Sequence, residues 1–374
     1  MFGVVAPAEG DFRLVHQRPA RRTRDGRGVL LARRRPGPFK EIPQCAVYPP
    51  EPERGGEVTA STVRKMERSP GASRPRVLLG SARGRLLAVL LLVLVLPLAA
   101  CRGPGLPASS GGADPPPSGS LSVSFIDVGQ GDSVLVQAGG ESYLIDAGRA
   151  EEGPNIVDFL RDRGVRDLDG IIVSNPDADH IGGFLDVFDA FPVETVYLSG
   201  DPKGTLTFNT FLRAARDEGS DTEVVRAGML MDWAGVQADV VAPPTDAEGG
   251  LFSETNDNSV GILLTYGTAR VLLAGDAEAK SEEYMAGGPY TGPLTVLKVT
   301  HHGSSTSSTP LFLGRFRPKI AVIQVGADNS YGHPTPETLD RLRRAGAKVF
   351  RNDEDGDVIV TIKDQEVEVA VTRP

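Results

Sequence analysis

The sequence predicts an α/β (α+β) protein in which two packed mixed β-sheets carry helices on their outer faces. Two observations lead to this prediction. From Leu121 onward, short β-rich runs alternate with helical runs, and they form two blocks in which strands are followed by helices. The 44 Gly and 29 Pro among 374 residues favour many short elements over a helical bundle.

The first block begins with three predicted strands, at 121–127, 133–137 and 142–146. A helix at 156–163, a buried strand at 170–174 and helices at 183–191 and 208–219 follow. The second block has strands at 223–225, 237–241, 260–266, 269–274, 294–299 and 320–325. Thr309-Pro310 begins a short helix, and Thr335-Pro336 caps a helix that ends at Ala345. The chain ends in strands at 348–350, 357–362 and 366–371.

The charge of the chain is divided unevenly. Residues 1–117 carry 19 Lys and Arg against 9 Asp and Glu, whereas residues 118–374 carry 21 against 40, a net charge of −19. Residues 1–65 are rich in Arg, Pro and Gly without a sustained apolar period, so we expect a disordered basic leader. A nucleic-acid-binding arm is one interpretation. An over-long gene start, with translation beginning near Met66, is the favoured one, because the segment after Met66 is complete in itself.

Residues 66–101 have the organisation of a lipoprotein-type signal peptide. A basic stretch precedes 15 apolar residues from Leu86 to Ala100, fewer than the roughly 20 that span a bilayer. Residues 98–101 (LAAC) resemble the lipobox of bacterial lipoproteins, whose cysteine, here Cys101, is lipidated. Residues 102–120 read as a flexible linker. We expect residues 121–374 to form an extracytoplasmic domain held at the membrane by this lipid; an uncleaved N-terminal anchor or secretion is the alternative.

Cysteine is nearly absent, since Cys45 is the only other one. This excludes a disulfide scaffold and a multi-cysteine zinc ribbon. Polar motifs instead follow predicted strands, where loops present side chains at the rim of a sheet. Four of the five histidines lie in these motifs, which are 127–132 (DVGQGD), 146 (Asp), 175–180 (NPDADH), 275–276 (GD), 301–304 (HHGS) and 332–334 (GHP).

The NPDADH motif favours a metal site on physical grounds. The side chains that can converge on one point if this loop curls after its strand are Asn175, Asp177, Asp179 and His180. Carboxylates and an imidazole in close contact repel one another or change protonation unless a cation neutralises them. Asp276 and either His301 or His302 lie more than 90 residues downstream. They could complete the coordination from the opposite sheet.

The motif series resembles the metallo-β-lactamase-fold domain of ComEC-type competence proteins, a DNA-uptake family. The motifs DVGQGD, LIDAG, SNPDADHIGG, NDNSVGILL, LLAGD, LKVTHHGS and YGHP appear in the family's order, from about residue 122 to residue 369. Several of these motifs are rare in proteins, so their occurrence together is specific for this family. The resemblance implies an αββα sandwich with a metal centre at one edge of the two sheets. No channel-forming helices accompany the domain here, which predicts a stand-alone, surface-tethered form.

The resemblance also implies a ligand set. One metal site would take Asp179, His180, Asp276 and His301, and Asp276 could bridge to a second ion. Asn175 and Asp177 fall where a second site takes its first ligands, but the family's usual residue at position 175 is histidine. In many relatives of the fold, the third ligand is another histidine before the two strands at 260–274; here that region offers only Asn256 and Asn258, so the second site should bind loosely. The oxygen-rich ligands make Mn²⁺ or Mg²⁺ plausible beside Zn²⁺.

Other motif residues receive supporting roles. Asp146 should orient a ligand. Gly129 and Gly131 allow close backbone approach. His333 and Lys298 could bind a phosphate or protonate a leaving group, and an ordinary strand-edge cation is the other interpretation of Lys298. The predicted catalytic residues are Asp179, Asp276, His333 and Lys298; the residues predicted to bind substrate or support the ligands are Asp127, Gln130, Asp132, Asp146, Asn258, His302 and Ser304.

These features predict a metal-dependent hydrolase, a phosphodiesterase or nuclease linked to competence and the processing of extracellular DNA, with single-stranded DNA as a candidate substrate. The net charge of −19 opposes tight binding of a polyanion. A small phosphodiester or a lactone is therefore the alternative substrate. A different class remains open as well: Asn175 would also suit a degenerate module that binds a partner at the cell surface without catalysis.

Overall fold

The computed structural model describes residues 115–373. Two β-sheets pack face to face, and α-helices cover both outer faces, which confirms the predicted αββα sandwich. The predicted basic leader, signal peptide, Cys101 and most of the linker lie outside the described residues. Within 115–373, no helix has the length and apolar character needed to cross a membrane.

The first sheet contains eight strands. They are β1 (Leu121–Phe125), β2 (Val134–Ala138), β3 (Glu141–Ile145), β4 (Gly170–Val173), β5 (Thr195–Leu198), β6 (Asp221–Val224), β14 (Val358–Lys363) and β15 (Glu366–Val371). Their order across the sheet is β15-β14-β1-β2-β3-β4-β5-β6. The strands from β3 to β6 pair in parallel, so their carboxyl ends share one edge.

The second sheet contains seven strands. They are β7 (Leu230–Trp233), β8 (Val236–Ala242), β9 (Gly261–Tyr266), β10 (Ala269–Leu273), β11 (Val296–Lys298), β12 (Ile320–Ile323) and β13 (Lys348–Arg351). Their order is β13-β12-β11-β10-β9-β8-β7. The strands from β10 to β13 are parallel. Each sheet therefore presents a group of parallel carboxyl ends.

The central core lies between the sheets. Alternate residues of β1 (Leu121, Val123 and Phe125) point into it because side chains of a strand alternate between its two faces. Facing apolar residues come from strands of the second sheet, such as Val271 in β10. Burial of these apolar surfaces, at roughly 25 cal/mol per Å², holds the two sheets together.

Helices bury their apolar sides against the outer faces. The helices are α1 (Gly153–Asp162), α2 (Ala178–Ile181), α3 (Phe184–Ala190), α4 (Leu206–Glu218), α5 (Ala279–Gly287), α6 (Pro310–Phe316), α7 (Pro336–Arg344) and α8 (Asn352–Asp355). Helices α1, α3 and α4 cover the first sheet, and α5, α6 and α7 cover the second. The Thr309 and Thr335 side chains each accept a backbone N–H of the first turn of α6 and α7, as their Thr-Pro starts predicted.

Candidate metal centre

The candidate site lies where the carboxyl ends of parallel strands from both sheets meet. β3 and β4 are parallel neighbours, and Asp146 and residues 174–180 follow them. β10, β11 and β12 are parallel in the second sheet and are followed by residues 275–276, 300–303 and 324. Crevices beyond the carboxyl ends of parallel strands are where α/β folds place their functional groups.

Four side chains form the centre, here called the metal cluster: Asp179, His180, Asp276 and His302. His180 Nε2 lies 3.1 Å from Asp276 Oδ2, and His302 Nε2 lies 3.4 Å from Asp276 Oδ1. His302 Nε2 is 3.7 Å from Asp179 Oδ2. One ligand atom each of Asp179, His180 and His302 falls within 4.8 Å of the others. Asp179 is 23% exposed, whereas the other three are buried, so the cluster opens to solvent beside Asp179.

Each histidine of the metal cluster is oriented through its far nitrogen. His180 Nδ1 lies 2.9 Å from Asp146 Oδ2, and His302 Nδ1 lies 2.9 Å from the carbonyl oxygen of Gln324. A carbonyl oxygen only accepts, so His302 Nδ1 carries a hydrogen and the neutral ring presents its Nε2 lone pair to the cluster. Asp146 accepts the backbone N–H of Ser174 at 2.8 Å and the Ser174 hydroxyl. This geometry agrees with the orienting role predicted for Asp146.

The carboxylates strengthen proton binding by the two imidazoles. Burial lowers the pKa of His302, but the charges of Asp276 and Asp132 outweigh it and raise the pKa to about 10. Burial also lowers the pKa of His180, yet Asp276 and Asp146 raise it well above its usual value. Burial raises the pKa of Asp276, and the His302 and His180 charges bring it well below its usual value. A divalent cation would supply the same positive charge in place of the protons.

Lys298 is enclosed behind the metal cluster. Its side chain is 2% exposed, its Nζ forms a close ion pair with Asp132, and it donates to the Gly275 carbonyl oxygen at 2.9 Å. Burial raises the pKa of Asp132, but the charges of Lys298, His302 and His180 outweigh it and lower the pKa to about 2. The lysine neutralises Asp132, and its predicted catalytic role stays a prediction.

His302, not His301, is the histidine of the HHGS motif that enters the metal cluster. His301 Nε2 is 3.9 Å from Asp276 Oδ2, while its Nδ1 lies 2.9 Å from Glu278 Oε1. Both histidines have left-handed backbones, with φ of 48° and 50°. Such residues cost about 1–3 kcal/mol each and occur mostly at functional sites. The structure places His302 inside the metal cluster and His301 at its edge, and the predicted ligand role of His301 stays a prediction.

The residues predicted for a second metal are engaged with one another. Asn175 is fully buried; its side-chain oxygen accepts the Asp177 N–H at 3.0 Å, and its nitrogen donates to Asn256 Oδ1 at 2.9 Å. Asn256 donates to Glu278 Oε1 at 3.2 Å, and the same oxygen lies beside His301. We call the series Asn175, Asn256, Glu278 and His301 the polar chain. It fills the region where a second ion was expected.

Asp177 pairs with a lysine that the sequence did not single out. Lys203, in the loop between β5 and α4, forms a close ion pair through Nζ with Asp177 Oδ1. The two side chains are 23% and 38% exposed. Within residues 115–373, Asp177 belongs to none of the groups of three or more side chains able to hold a metal. Its predicted role as a metal ligand is therefore not supported.

His333 lies at the rim of the site. Its ring packs edge-on against His301 with centroids 5.6 Å apart and stacks on Tyr331 at 5.8 Å. The Asn329 amide nitrogen donates to the His333 carbonyl oxygen at 2.6 Å, and Asn329 Oδ1 accepts the His333 N–H at 3.1 Å. Burial, with the charges of His301 and His302, lowers the pKa of His333. A neutral imidazole therefore faces the site at neutral pH.

Two predicted supporting residues stabilise loops away from the metal cluster. Asp127 pairs with Arg373 and accepts the Gly129 N–H at 3.2 Å. Asn258 donates to Asp201 Oδ2 at 2.9 Å and joins two loops. The predictions that these residues contact substrate or ligands are not supported, because their polar atoms are satisfied within these loops.

The DVGQGD loop packs directly against the metal cluster. A Cβ on Gly131 would lie 2.4 Å from the Asp179 backbone oxygen, so only glycine permits this approach, as predicted. Gln130 accepts the backbone N–H of Gly326 at 3.4 Å. Ser304 Oγ lies 2.8 Å from Thr306 Oγ1 and supports the turn after the two histidines rather than a substrate.

Three residues near the site were not predicted: Lys203, Glu278 and Gln324. Gln324 acts on His302 through its backbone, which no side-chain motif reveals; its own amide donates to the Ser133 carbonyl oxygen at 2.8 Å across the two sheets. Glu278 follows Asp276 by two residues, and this spacing was an available signal. Lys203 follows β5, a strand that the sequence analysis missed.

The metal cluster fits a divalent metal ion. Two imidazole nitrogens and two carboxylates are a common ligand set for such ions. Within residues 115–373, three buried atoms, His180 Nε2, His302 Nε2 and Asp276 Oδ1, have no hydrogen-bond partner apart from the ion-pair contacts of the metal cluster itself. Two carboxylates and two imidazoles this close need protons or a cation between them, which makes the cluster suited to a divalent ion.

Comparison with known proteins agrees with this geometry. The family model described as "Metallo-beta-lactamase superfamily" matches residues 126–326. "ComE operon protein 3" of Bacillus subtilis (strain 168) is 30% identical over 257 residues, 63% of this chain and 32% of that protein. "Competence protein ComA" of Neisseria gonorrhoeae is 34% identical over 243 residues, 64% of this chain and 32% of that protein. The chain thus spans about a third of the length of these relatives.

One solved structure with a similar fold is the metallo-beta-lactamase fold protein YhfI from Bacillus subtilis. It aligns with a TM-score of 0.43 and 14% identity, covering 67% of this chain and 100% of that one. The resemblance to competence proteins inferred from the motifs is confirmed by the sequence relatives.

Proposed function

Because the chain belongs to the metallo-beta-lactamase superfamily, we propose that it is a metal-dependent hydrolase that cleaves phosphodiester bonds. One observation carries the proposal: Asp179, His180 and His302 place ligand atoms within 4.8 Å of one another, Asp276 lies beside both histidines, and the far nitrogens of both histidines are held by hydrogen bonds.

The metal cluster would hold one Zn²⁺ or Mn²⁺ ion. When bound, such an ion lowers the pKa of water and neutralises negative charge on a phosphoryl oxygen. The protein contributes the geometry. Asp146 and Gln324 fix the two imidazoles, and the buried Asp132–Lys298 pair supplies a fixed charge arrangement behind them.

His333 is proposed to move the proton of the reaction. Its neutral imidazole can accept a proton from the attacking water and return it to the leaving oxygen. Asn329 holds its backbone on both sides, and the rim position leaves the ring half-buried beside the opening. Asp179 is the solvent-exposed member of the metal cluster, and we propose that the substrate enters there.

A nucleic acid is the first candidate substrate, in keeping with the competence proteins among the relatives. In this proposal the chain acts on single-stranded DNA outside the cell, tethered by a lipid on Cys101. The net charge of −19 for residues 118–374 supports a second candidate, a small phosphodiester or a lactone, because such a substrate presents little charge to repel.

The test is hydrolysis by the purified chain of single-stranded DNA and bis-p-nitrophenyl phosphate during titration with Zn²⁺ or Mn²⁺. Metal-dependent cleavage that is lost in His180→Ala would support the hydrolase, and the preferred substrate would separate the two candidates. A chain without bound metal or turnover would instead support a binding module without catalysis.

A further inference from the structure

We propose that this centre takes a single metal ion and that the ammonium group of Lys203 occupies the place of a second cation. The inference deepens the proposed function and rests on it, since both concern one centre. Its basis is the state of Asn175 and Asp177, the two residues at the positions from which a second ion would be held.

Both the oxygen and the nitrogen of the Asn175 side-chain amide already form hydrogen bonds. Its oxygen accepts the backbone N–H of Asp177, and its nitrogen donates to Asn256. The amide nitrogen has no lone pair available for a metal, and the side chain is fully buried. Turning the amide to coordinate an ion would break both hydrogen bonds in a site closed to water.

Asp177 is neutralised by Lys203. The ammonium lies in direct contact with the Asp177 carboxylate, which is where a second ion would need to bind. An ammonium and a divalent cation repel each other, so Lys203 opposes the binding of an ion to this carboxylate. The ammonium is carried on a flexible stem at a partly exposed position, so the ion pair forms with little strain.

The polar chain engages other side chains that could act as ligands of a second ion. Glu278 Oε1 accepts from Asn256 and lies 2.9 Å from His301 Nδ1. A second ion would therefore have to displace the Lys203 ion pair and disrupt this series of contacts. The metal cluster needs no such change, because among the described residues its inward atoms make their close contacts with one another, and an ion can replace the protons between them.

The direct test reverses the charge of Lys203. In Lys203→Asp, two carboxylates face each other at position 177 and can hold a second ion. We expect equilibrium dialysis against Mn²⁺, followed by elemental analysis, to give one ion per chain for the wild type and two for the variant. Lys319→Asp is the matched control, with the same charge change at an exposed residue that precedes β12, away from the cluster; it should keep one ion.

A second pair of variants restores the family's histidine. Asn175→His alone should still bind one ion, because Lys203 continues to neutralise Asp177. Asn175→His combined with Lys203→Ala should bind two. Circular dichroism and thermal unfolding would show that each variant is folded. If Asn175→His does not fold because position 175 is buried, the number of ions bound by Lys203→Asp still tests the inference.

Two ions in the wild type, or one ion in folded Lys203→Asp, would overturn the inference. These outcomes differ from failure of the proposed function. A chain with two ions that hydrolyses phosphodiesters keeps the function and loses the single-metal centre, whereas a chain with no ion loses both.

Discussion

His180 Nδ1 lies 2.9 Å from Asp146 Oδ2, and this contact decides which nitrogen of a fully buried histidine faces the metal cluster. Asp146 has a left-handed backbone with φ of 59° and is fixed by Ser174 from the neighbouring parallel strand. The orientation of a ligand thus depends on the pairing of β3 with β4.

Asp146→Asn should lower metal affinity about 10- to 100-fold, because an amide holds the imidazole less firmly and makes it less basic. Competition with a chelating indicator would measure the affinity. Asp167→Asn, at an exposed residue in the loop before β4, is the control and should leave it unchanged. Equal affinity of Asp146→Asn and wild type would refute the orienting role.

The two adjacent histidines should differ in their effect. His302→Ala removes an inward Nε2 and should abolish tight metal binding, whereas His301→Ala leaves the metal cluster complete and should weaken it far less. Isothermal titration with Zn²⁺ compares the two directly. A larger loss in His301→Ala would return the ligand role to that residue.

Lys298→Met should destabilise the fold by about 3–5 kcal/mol, because it leaves the buried Asp132 carboxylate without its lysine partner. The double variant Lys298→Met/Asp132→Asn should recover part of the loss. Urea unfolding of both single variants and the double variant completes the cycle. Additive effects would show that the ion pair is not the cause.

His333→Gln should reduce turnover by roughly 10²- to 10⁴-fold, the usual contribution of a proton-transferring group. The bound metal should be retained, because His333 is not a member of the metal cluster and packs against the neighbouring His301 ring. Steady-state kinetics with elemental analysis separates the two effects. Loss of metal together with activity would assign His333 to metal binding instead.

Metal affinity should rise with pH. The pKa of His302 is raised from 6.5 to about 10, so the ring is protonated at neutral pH until a metal displaces the proton. Each displaced proton makes apparent affinity rise by up to about 10-fold per pH unit between pH 6 and 8. Titration calorimetry in buffers of different ionisation enthalpy counts the released protons, and a pH-independent affinity would contradict this account.

The raised pKa of His302 also makes the stability of the metal-free protein depend on pH. Because the folded-state pKa of His302 lies above its unfolded value of 6.5, the stabilisation is complete below pH 6.5 and is lost as pH rises toward 10. Thermal unfolding with a chelator at pH 7 and pH 9.5 should show this loss. Added metal should reduce it, since the ion replaces the proton.

Most of the fold could be predicted from short-range patterns. Alternating apolar runs marked thirteen of the fifteen strands, and Thr-Pro starts marked α6 and α7. The missed strands are β5 and β7, four residues each. Helix α5 was missed because its buried side includes Ser281 and Glu282, which break the apolar period of an amphipathic helix.

The residue types of the site could be predicted from the sequence, but the contacts that each residue makes could not. Motifs at strand ends identified Asp179, His180 and Asp276 because chemistry requires those residue types there. The choice between His301 and His302 depends on two left-handed backbones, which no local pattern specifies. The pairing of Asp177 with Lys203 depends on a loop after an unpredicted strand, so the sequence predicted a second, weaker metal site there without this ion pair.

The ligands of the metal cluster come from both sheets: Asp179 and His180 follow β4, whereas Asp276 and His302 follow β10 and β11. An ion bound there would join the sheets at one edge as a cross-link closing a chain segment of about 120 residues, and long loops gain most from such closure. Metal supply would then govern resistance to proteolysis, because the edge without the cross-link would open first to proteases.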